Sequence, residues 1–396
     1  MTTRSRPMMI AMLFTGYVLV YIDKTVMGFA LLPIEKEFGL STTQLGYITG
    51  IFFLAYSLFQ IPAGWLNDRF GYRAMTFLSL CLLGLFAICF GLMGFSLGLL
   101  IVFRFLSGVG HSGYPCSCAK AVTENFAVEQ RTFAQSILLS SSGLAMTVGP
   151  VITVAVLNMA GWRHAFIGLG LLVIVVAALI LLILPRQHSS ASQQRAAMPW
   201  SEIIKNPLVI MLFIAIFCIN IPTYGLLAWL PKFLVQQREI PVHISGLIVG
   251  AGGLGIWISS LTTGWLVGRY MQGHEHRVIS LSALLSAAGI WLVYVSENAW
   301  VIGLSLFFAD IFLMAAFVTV FTLPMKRLPQ QVMGATIGLV NTGGTLGGFV
   351  APIVMGYLLA LTGDYSAVFL FLAGAMLLAG LVILPAAAYR VQPQAH

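Results

Sequence analysis

Charged side chains are few in this sequence. They make up 8% of 396 residues, where a soluble domain carries about 25%. So small a supply cannot coat a globular surface of this size, which excludes a water-soluble fold and points to lipid as the natural solvent. Cysteine is sparse as well. The five, Cys81, Cys89, Cys116, Cys118 and Cys218, all fall inside apolar stretches. Cys116 and Cys118 form a C-x-C with no His or second Cys pair at metal-ligand spacing, so they read as small buried apolar side chains, not as ligands. No nucleophile–base pair and no cofactor motif is present, which argues against an enzyme. The glycine-rich stretches Gly250 to Gly255 and Gly343 to Gly348 lack the strand, turn and Lys of a nucleotide site. They lie within apolar segments and read as close helix contacts.

What is abundant is apolar length. Hydrophobic residues reach 59%, with 40 glycines, and small residues let membrane helices approach closely. Twelve stretches have about the 20 residues needed to cross a bilayer. They cover 8–32, 43–65, 74–95, 97–121, 132–157, 164–185, 207–230, 243–267, 278–295, 300–323, 332–360 and 366–388. The first follows Arg4 and Arg6, outruns a signal-peptide core and has no small-residue cleavage site behind it, so it is expected to stay as a span. Gly149-Pro150 and Pro352 are expected to mark kinked or flexible points in spans five and eleven.

Lys and Arg in the loops set the orientation. With the N-terminus inside, the cytoplasmic set is Arg4, Arg6, Arg69, Arg73, Lys120, Arg131, Arg186, Arg195, Lys205, Arg269, Arg277, Lys326, Arg327 and Arg390, and the outer set is Lys36, Arg163, Lys232 and Arg238. The ratio of 14 to 4 places both termini in the cytoplasm. The net charge of +8 is therefore mostly topology; dispersed over loops, it gives no nucleic-acid patch. A polar stretch rich in Ser and Gln joins two halves. The expected organisation is a bundle over 1–185, a cytoplasmic linker over 186–206 and a second bundle over 207–396.

The halves echo each other. Gly64-Trp65-Leu66-Asn67-Asp68-Arg69-Phe70-Gly71-Tyr72-Arg73 follows span two, and Gly264-Trp265-Leu266-Val267-Gly268-Arg269-Tyr270 follows span eight. Six spans plus six with a repeated motif is the pattern of a transporter made of two similar bundles. The Gly64 to Arg73 run resembles the G-x-x-x-D-R-x-G-x-R loop of the major facilitator superfamily. That resemblance implies an all-α membrane protein with twelve transmembrane helices in two pseudo-symmetric six-helix bundles. It also implies that Asp68, Arg69 and Arg73 serve gating, latching the cytoplasmic side when the transporter opens outward. Gly268 replaces the acid in the second copy, which implies a weaker latch there.

A narrower resemblance runs along nearly the whole chain. Tyr21-Ile22-Asp23-Lys24, Gln60-Ile61-Pro62-Ala63-Gly64-Trp65, Arg104 with Gly108-Val109-Gly110, Gly161-Trp162-Arg163, Trp229-Leu230-Pro231 and Asn341-Thr342-Gly343-Gly344 are similar to the anion:cation symporter family. The resemblance implies symport of a small organic anion, such as a sugar acid, with a proton. Tyr56 matches a substrate position of that family. Lys24 stands where the family usually has Arg, and His111 where it usually has Glu.

Charges inside a bilayer are costly and usually functional. Here they are Asp23, Lys24, Arg104 and Asp310, with His111 as a further titratable group. At about 1.5 Å rise per residue, Lys24 and Asp23 lie about 12 and 14 Å in from the outer end of span one, and Arg104 about 10 Å in on span four. Two cations and one carboxylate leave a surplus of one positive charge, which a substrate anion would neutralise; the planar fork of Arg104 suits a carboxylate. A structural Asp23–Arg104 pair with Lys24 turned elsewhere is the alternative, because neighbours on a helix point about 100° apart. Candidate substrate contacts are Tyr21, Lys24, Tyr56, Gln60, Arg104, Asn220, Tyr224 and Asn341. Candidate proton-coupling groups are Asp23, His111 and Asp310. Protonated His111 would favour an anion directly; a neutral His bonded to Ser107 or backbone is the alternative. Asp310 matches no motif and could instead meet a cationic cargo, so a proton-driven exporter of drugs or metabolites is the rival reading. No cofactor is expected, and a monomer in a bacterial inner membrane is.

Overall fold

The structure is a computed structural model that describes residues 5–184, 200–328 and 333–388. Among the described residues every regular element is helical. The long helices are α1 (Ser5–Phe38), α2 (Thr42–Met93), α3 (Leu97–Asn125) and α4 (Val128–Ile183), then α6 (Pro207–Lys232), α7 (Val242–Tyr270), α8 (Glu275–Val295), α9 (Ala299–Arg327), α10 (Met333–Thr362) and α11 (Tyr365–Val382). A short α5 (Trp200–Lys205) precedes α6. It occupies part of the expected linker, whose positions 186–199 lie outside the described residues.

Two helices are too long for one crossing. The 52 residues of α2 and 56 of α4 would each reach roughly 80 Å at 1.5 Å per residue, against a hydrocarbon core of about 30 Å. Each is broken at one glycine: Gly71 with φ 82° and Gly161 with φ 77°. That left-handed region is open to glycine at little cost. The Gly64 to Arg73 run is therefore a loop in only one residue, being helical on both sides of Gly71. Splitting α2 and α4 at these points gives twelve membrane segments in the expected order. Helix starts are set by caps rather than by the apolar windows. Ser41 and Gln44 form a reciprocal capping box at α2, and Asn206 and Asn298 cap α6 and α9. Pro150 and Pro352 lie within helices that continue past them.

Helices α1 to α4 pack on one another, as do α6 to α11, and the two groups meet along α2–α10, α4–α7 and α1–α6. The two largest of these seams are built alike. Gly46 and Gly50 of α2 lie on the backbone of α10, where an added Cβ would sit 2.6 Å from the Pro352 oxygen and 2.8 Å from the Phe349 oxygen. Gly246 and Gly250 of α7 lie on α4, 3.4 Å from the Pro150 oxygen and 2.7 Å from the Thr147 oxygen. Each seam thus sets a G-x-x-x-G face against a proline and the residue three before it. Small residues of this spacing allow helix backbones to touch.

These contacts gather at the end of the molecule that is poor in Lys and Arg. Thr42 donates to the Gly356 oxygen at 2.9 Å there. Glu35 of α1 accepts from Lys232 of α6 at 2.5 Å and from Gln236 at 3.1 Å, closing the groups with charge. Among the described residues, these contacts close the two groups against each other at the basic-poor end.

Candidate substrate site

At the centre of the first group, Asp23 and Lys24 diverge as their helical spacing requires. Asp23 accepts from Arg104 of α3 at 3.0 Å, with the two side chains 1% and 3% exposed. This is the pairing alternative of the sequence reading, and it leaves Arg104 neutralised. The guanidinium also lies 4.7 Å from the Phe52 ring. Asp23 Oδ1 and Arg104 Nε have no further partner.

Lys24 is left, among the described residues, without an acid within ion-pair distance. Among the described residues it makes no hydrogen bond or ion pair, and five aromatic rings surround its ammonium. The centroids lie at 4.6 Å for Tyr21, 5.3 Å for Tyr224, 5.6 Å for Phe53, 5.7 Å for Tyr56 and 5.9 Å for Phe52. Ring faces attract a cation but leave its N–H donors free for an oxygen ligand. The cage draws on α1, α2 and, through Tyr224, α6 of the second group. Tyr224 packs on Phe53 with centroids 4.3 Å apart, so the cage spans the seam.

His111 borders this cage. Its ring stands edge-on to Tyr56 at 4.5 Å and to Phe52 at 5.3 Å. It is buried, its Nδ1 lacks a partner, and so does the Ser107 hydroxyl one turn away. Gln60 Oε1 is a further buried acceptor without a partner. Asn341 of α10 lies beside Tyr56. The cluster therefore presents one free cation, three phenols, two amides and an imidazole. That set can hold a small anion carrying hydroxyl groups.

Other candidates lie elsewhere. Asn220 donates to the Ile216 oxygen at 2.9 Å and packs on Gly344 and Gly347 of α10, so its amide serves a helix contact. Asp310 stands apart, against Gly252 of α7. Of the gating candidates, Asp68 bonds Lys120 at 2.9 Å, Arg69 lies near Trp65 and Phe70, and Arg73 donates from Nε to the Leu181 oxygen at 3.0 Å. All these partners belong to the first group. Two features escaped the sequence reading. Phe52 and Phe53 line the cage, although Phe52, Tyr56 and Gln60 share a four-residue spacing that could have shown the first. The Glu35–Lys232 pair joins residues 197 apart in sequence, and no local signal marks it.

The chain as a whole has counterparts in known proteins. A protein described as a probable sulfoacetate transporter of Cupriavidus necator is 28% identical, with 94% of this chain and 92% of that protein covered. A protein described as a probable galactarate/D-glucarate transporter of Escherichia coli is 26% identical over 93% of this chain and 90% of its own. Among solved structures, a bacterial homologue of the human lysosomal transporter Spinster, inward-facing and unoccupied, superposes with a TM-score of 0.79. It shares 17% identity over 98% of this chain and 97% of that one, a likeness of fold. The Major Facilitator Superfamily sequence model matches residues 13–352, and this chain belongs to that superfamily of membrane transporters.

Proposed function

We propose that this transporter carries a small hydroxylated organic anion, of the sugar-acid class, in symport with a proton. The observation that carries the reading is Lys24: a buried ammonium without an acid, caged by rings that leave its donors free. Buried charges are costly unless paired, and a substrate carboxylate would supply the missing partner. The hydroxyls of Tyr21, Tyr56 and Tyr224 and the amides of Gln60 and Asn341 would meet substrate hydroxyls. Arg104 would act through Asp23, keeping that carboxylate from neutralising Lys24. The relatives described as carriers of sugar acids and sulfoacetate support the anion class.

His111, beside the cage with a free ring nitrogen, would carry the proton: an imidazolium next to Lys24 adds attraction for the anion, so both would enter together. The basic-rich end would face the cytoplasm, with both termini, in a bacterial inner membrane. The closed basic-poor end would then correspond to the inward-facing state, that of a monomer with bundles over 1–185 and 207–396. On opening outward, Asp68, Arg69 and Arg73 would serve as the cytoplasmic latch. Export of cationic drugs has less support, since the central site is positive and Asp310 lies outside it.

The test is uptake of labelled D-galactonate, D-glucarate and sulfoacetate into proteoliposomes. An imposed pH gradient, acidic outside, is expected to drive accumulation of at least one of them, and dissipating the gradient with an ionophore is expected to abolish it. Accumulation indifferent to the gradient would remove proton coupling, and no uptake of any acid would remove the anion class.

A further inference from the structure

Asp310 is a second intramembrane acid, on α9, and the substrate cluster does not use it. Among the described residues it has no hydrogen-bond or ion-pair partner. It lines a small cavity of about 20 Å³, enough for one water molecule. The cavity is walled by Met146 of α4, Thr223, Leu226, Leu227 and Leu230 of α6, Val249, Gly253 and Ile256 of α7, and Leu306 of α9. Among the described residues, none of these four helices contributes a titratable or charged group to the lining other than Asp310. Thr223 has the one other side-chain oxygen, and its hydroxyl donates to the Ile219 carbonyl at 2.8 Å. A hard metal ion takes about six oxygen ligands, which this wall lacks. A proton needs only the carboxylate.

The position of the acid is as informative as its isolation. A Cβ on Gly252 would lie 2.3 Å from Asp310 Oδ2, so the carboxylate rests on the α7 backbone. The next residue, Gly253, rests on the α4 backbone, where a Cβ would lie 2.2 Å from the Met146 carbonyl. Two adjacent glycines thus set the acid and the α4–α7 seam on neighbouring faces of α7. Met146 belongs both to the seam and to the cavity wall. Parting the seam would remove that wall and open the partly buried carboxylate further to water.

We propose that Asp310 is a proton site that biases the α4–α7 seam: its protonated form favours the shut seam and its deprotonated form the parted one. The site lies across α6 from Lys24, whose ammonium faces Tyr224 while the cavity takes Thr223, Leu226 and Leu227. Protonation here therefore bears on which end of the transporter is open, not on whether the anion is held. The proposal rests on the proton-coupled reading above, but its readout needs no substrate.

Spin labels at Met159→Cys of α4 and His243→Cys of α7, both exposed at the basic-poor end, report the seam distance in a background with the five native cysteines replaced. In lipid nanodiscs without substrate, the unaltered acid is expected to give a long-distance population that grows several-fold from pH 5.5 to 9. Asp310→Asn is expected to hold the short distance throughout, and Asp310→Glu to keep a pH response. Gly252→Ala, which presses a methyl on the acid without removing it, is expected to shift the midpoint. The same pH response in Asp310→Asn as in the parent, or no response in the parent, overturns the proposal. In proteoliposomes, Asp310→Asn is expected to retain counterflow of an accepted acid and lose at least ten-fold of its gradient-driven accumulation; undiminished accumulation also overturns it. Failure of every acid to bind, with the seam response intact, would sink the anion reading alone.

Discussion

Arg104 and Lys24 are both cations near the substrate cluster, and a pair of substitutions separates their roles. Arg104→Met deletes the partner of Asp23 in a place where both side chains are almost wholly enclosed. Breaking such a pair from one side leaves an uncompensated charge and costs about 3–5 kcal/mol, whereas replacing both members by neutral groups is often nearly free. The orphaned carboxylate has one remedy within reach: the ammonium of the next residue, Lys24. That would remove the free cation, so anion affinity should fall at least ten-fold in Arg104→Met, equivalent to about 1.4 kcal/mol. The double variant Asp23→Asn with Arg104→Met has no such acid. It should regain several degrees of melting temperature over the single variant and recover most of the anion binding, although it lacks Arg104. Thermal unfolding in detergent and calorimetric titration with an accepted acid measure both quantities. If Arg104 gripped the substrate directly, the double variant would bind no better than the single one, and that result would refute the reasoning.

Further expectations concern the seams and the cage. Glu35→Gln weakens a partly exposed closing pair worth about 1 kcal/mol, so the long-distance population across the basic-poor end should rise about five-fold by spin-label measurement. Gly250→Val places bulk on the Thr147 carbonyl, at 2.7 Å already for a Cβ; uptake should fall at least ten-fold while the protein remains monodisperse on size exclusion. Tyr224→Phe keeps the ring beside Lys24 but removes a hydroxyl. Losing a hydrogen bond to a hydroxylated substrate costs about 0.5–1.5 kcal/mol, so affinity should fall two- to ten-fold for a polyhydroxylated acid and stay unchanged for acetate-like acids.

Much of this architecture can be read from the sequence because the bilayer imposes simple rules. Apolar length gives the spans, and the repeated Gly-Trp-Leu motif gives the two halves. Scarcity of charge makes Asp23, Lys24, Arg104 and Asp310 conspicuous. What cannot be read is how distant helices meet. The sequence gives the surplus of one cation but leaves open which cation is spare; Asp23 chooses Arg104 because α3 brings the guanidinium to its face of α1. The cage is assembled from α1, α2 and α6, so no local period contains it. The turn between the second and third segments shrinks to Gly71, since a single left-handed residue suffices to reverse a helix. The matched Gly46/Gly50 and Gly246/Gly250 seams are visible in sequence only as two more glycine pairs among 40. Asn220 looks like a polar contact by type, and the bond of its Nδ2 to the Ile216 carbonyl is not legible in the sequence.

The central claim is that Lys24 is the cation that receives the anion, and calorimetric binding to Lys24→Gln tests it most directly. A charge-assisted hydrogen bond contributes about 1.5–3 kcal/mol. D-galactonate, D-glucarate or sulfoacetate, whichever the parent protein binds, should therefore bind Lys24→Gln about 10- to 100-fold more weakly. The melting temperature without ligand should not fall, because among the described residues Lys24 has no ion pair to lose and the cost of burying its charge is removed. Equal affinity in the parent and in Lys24→Gln would contradict the account.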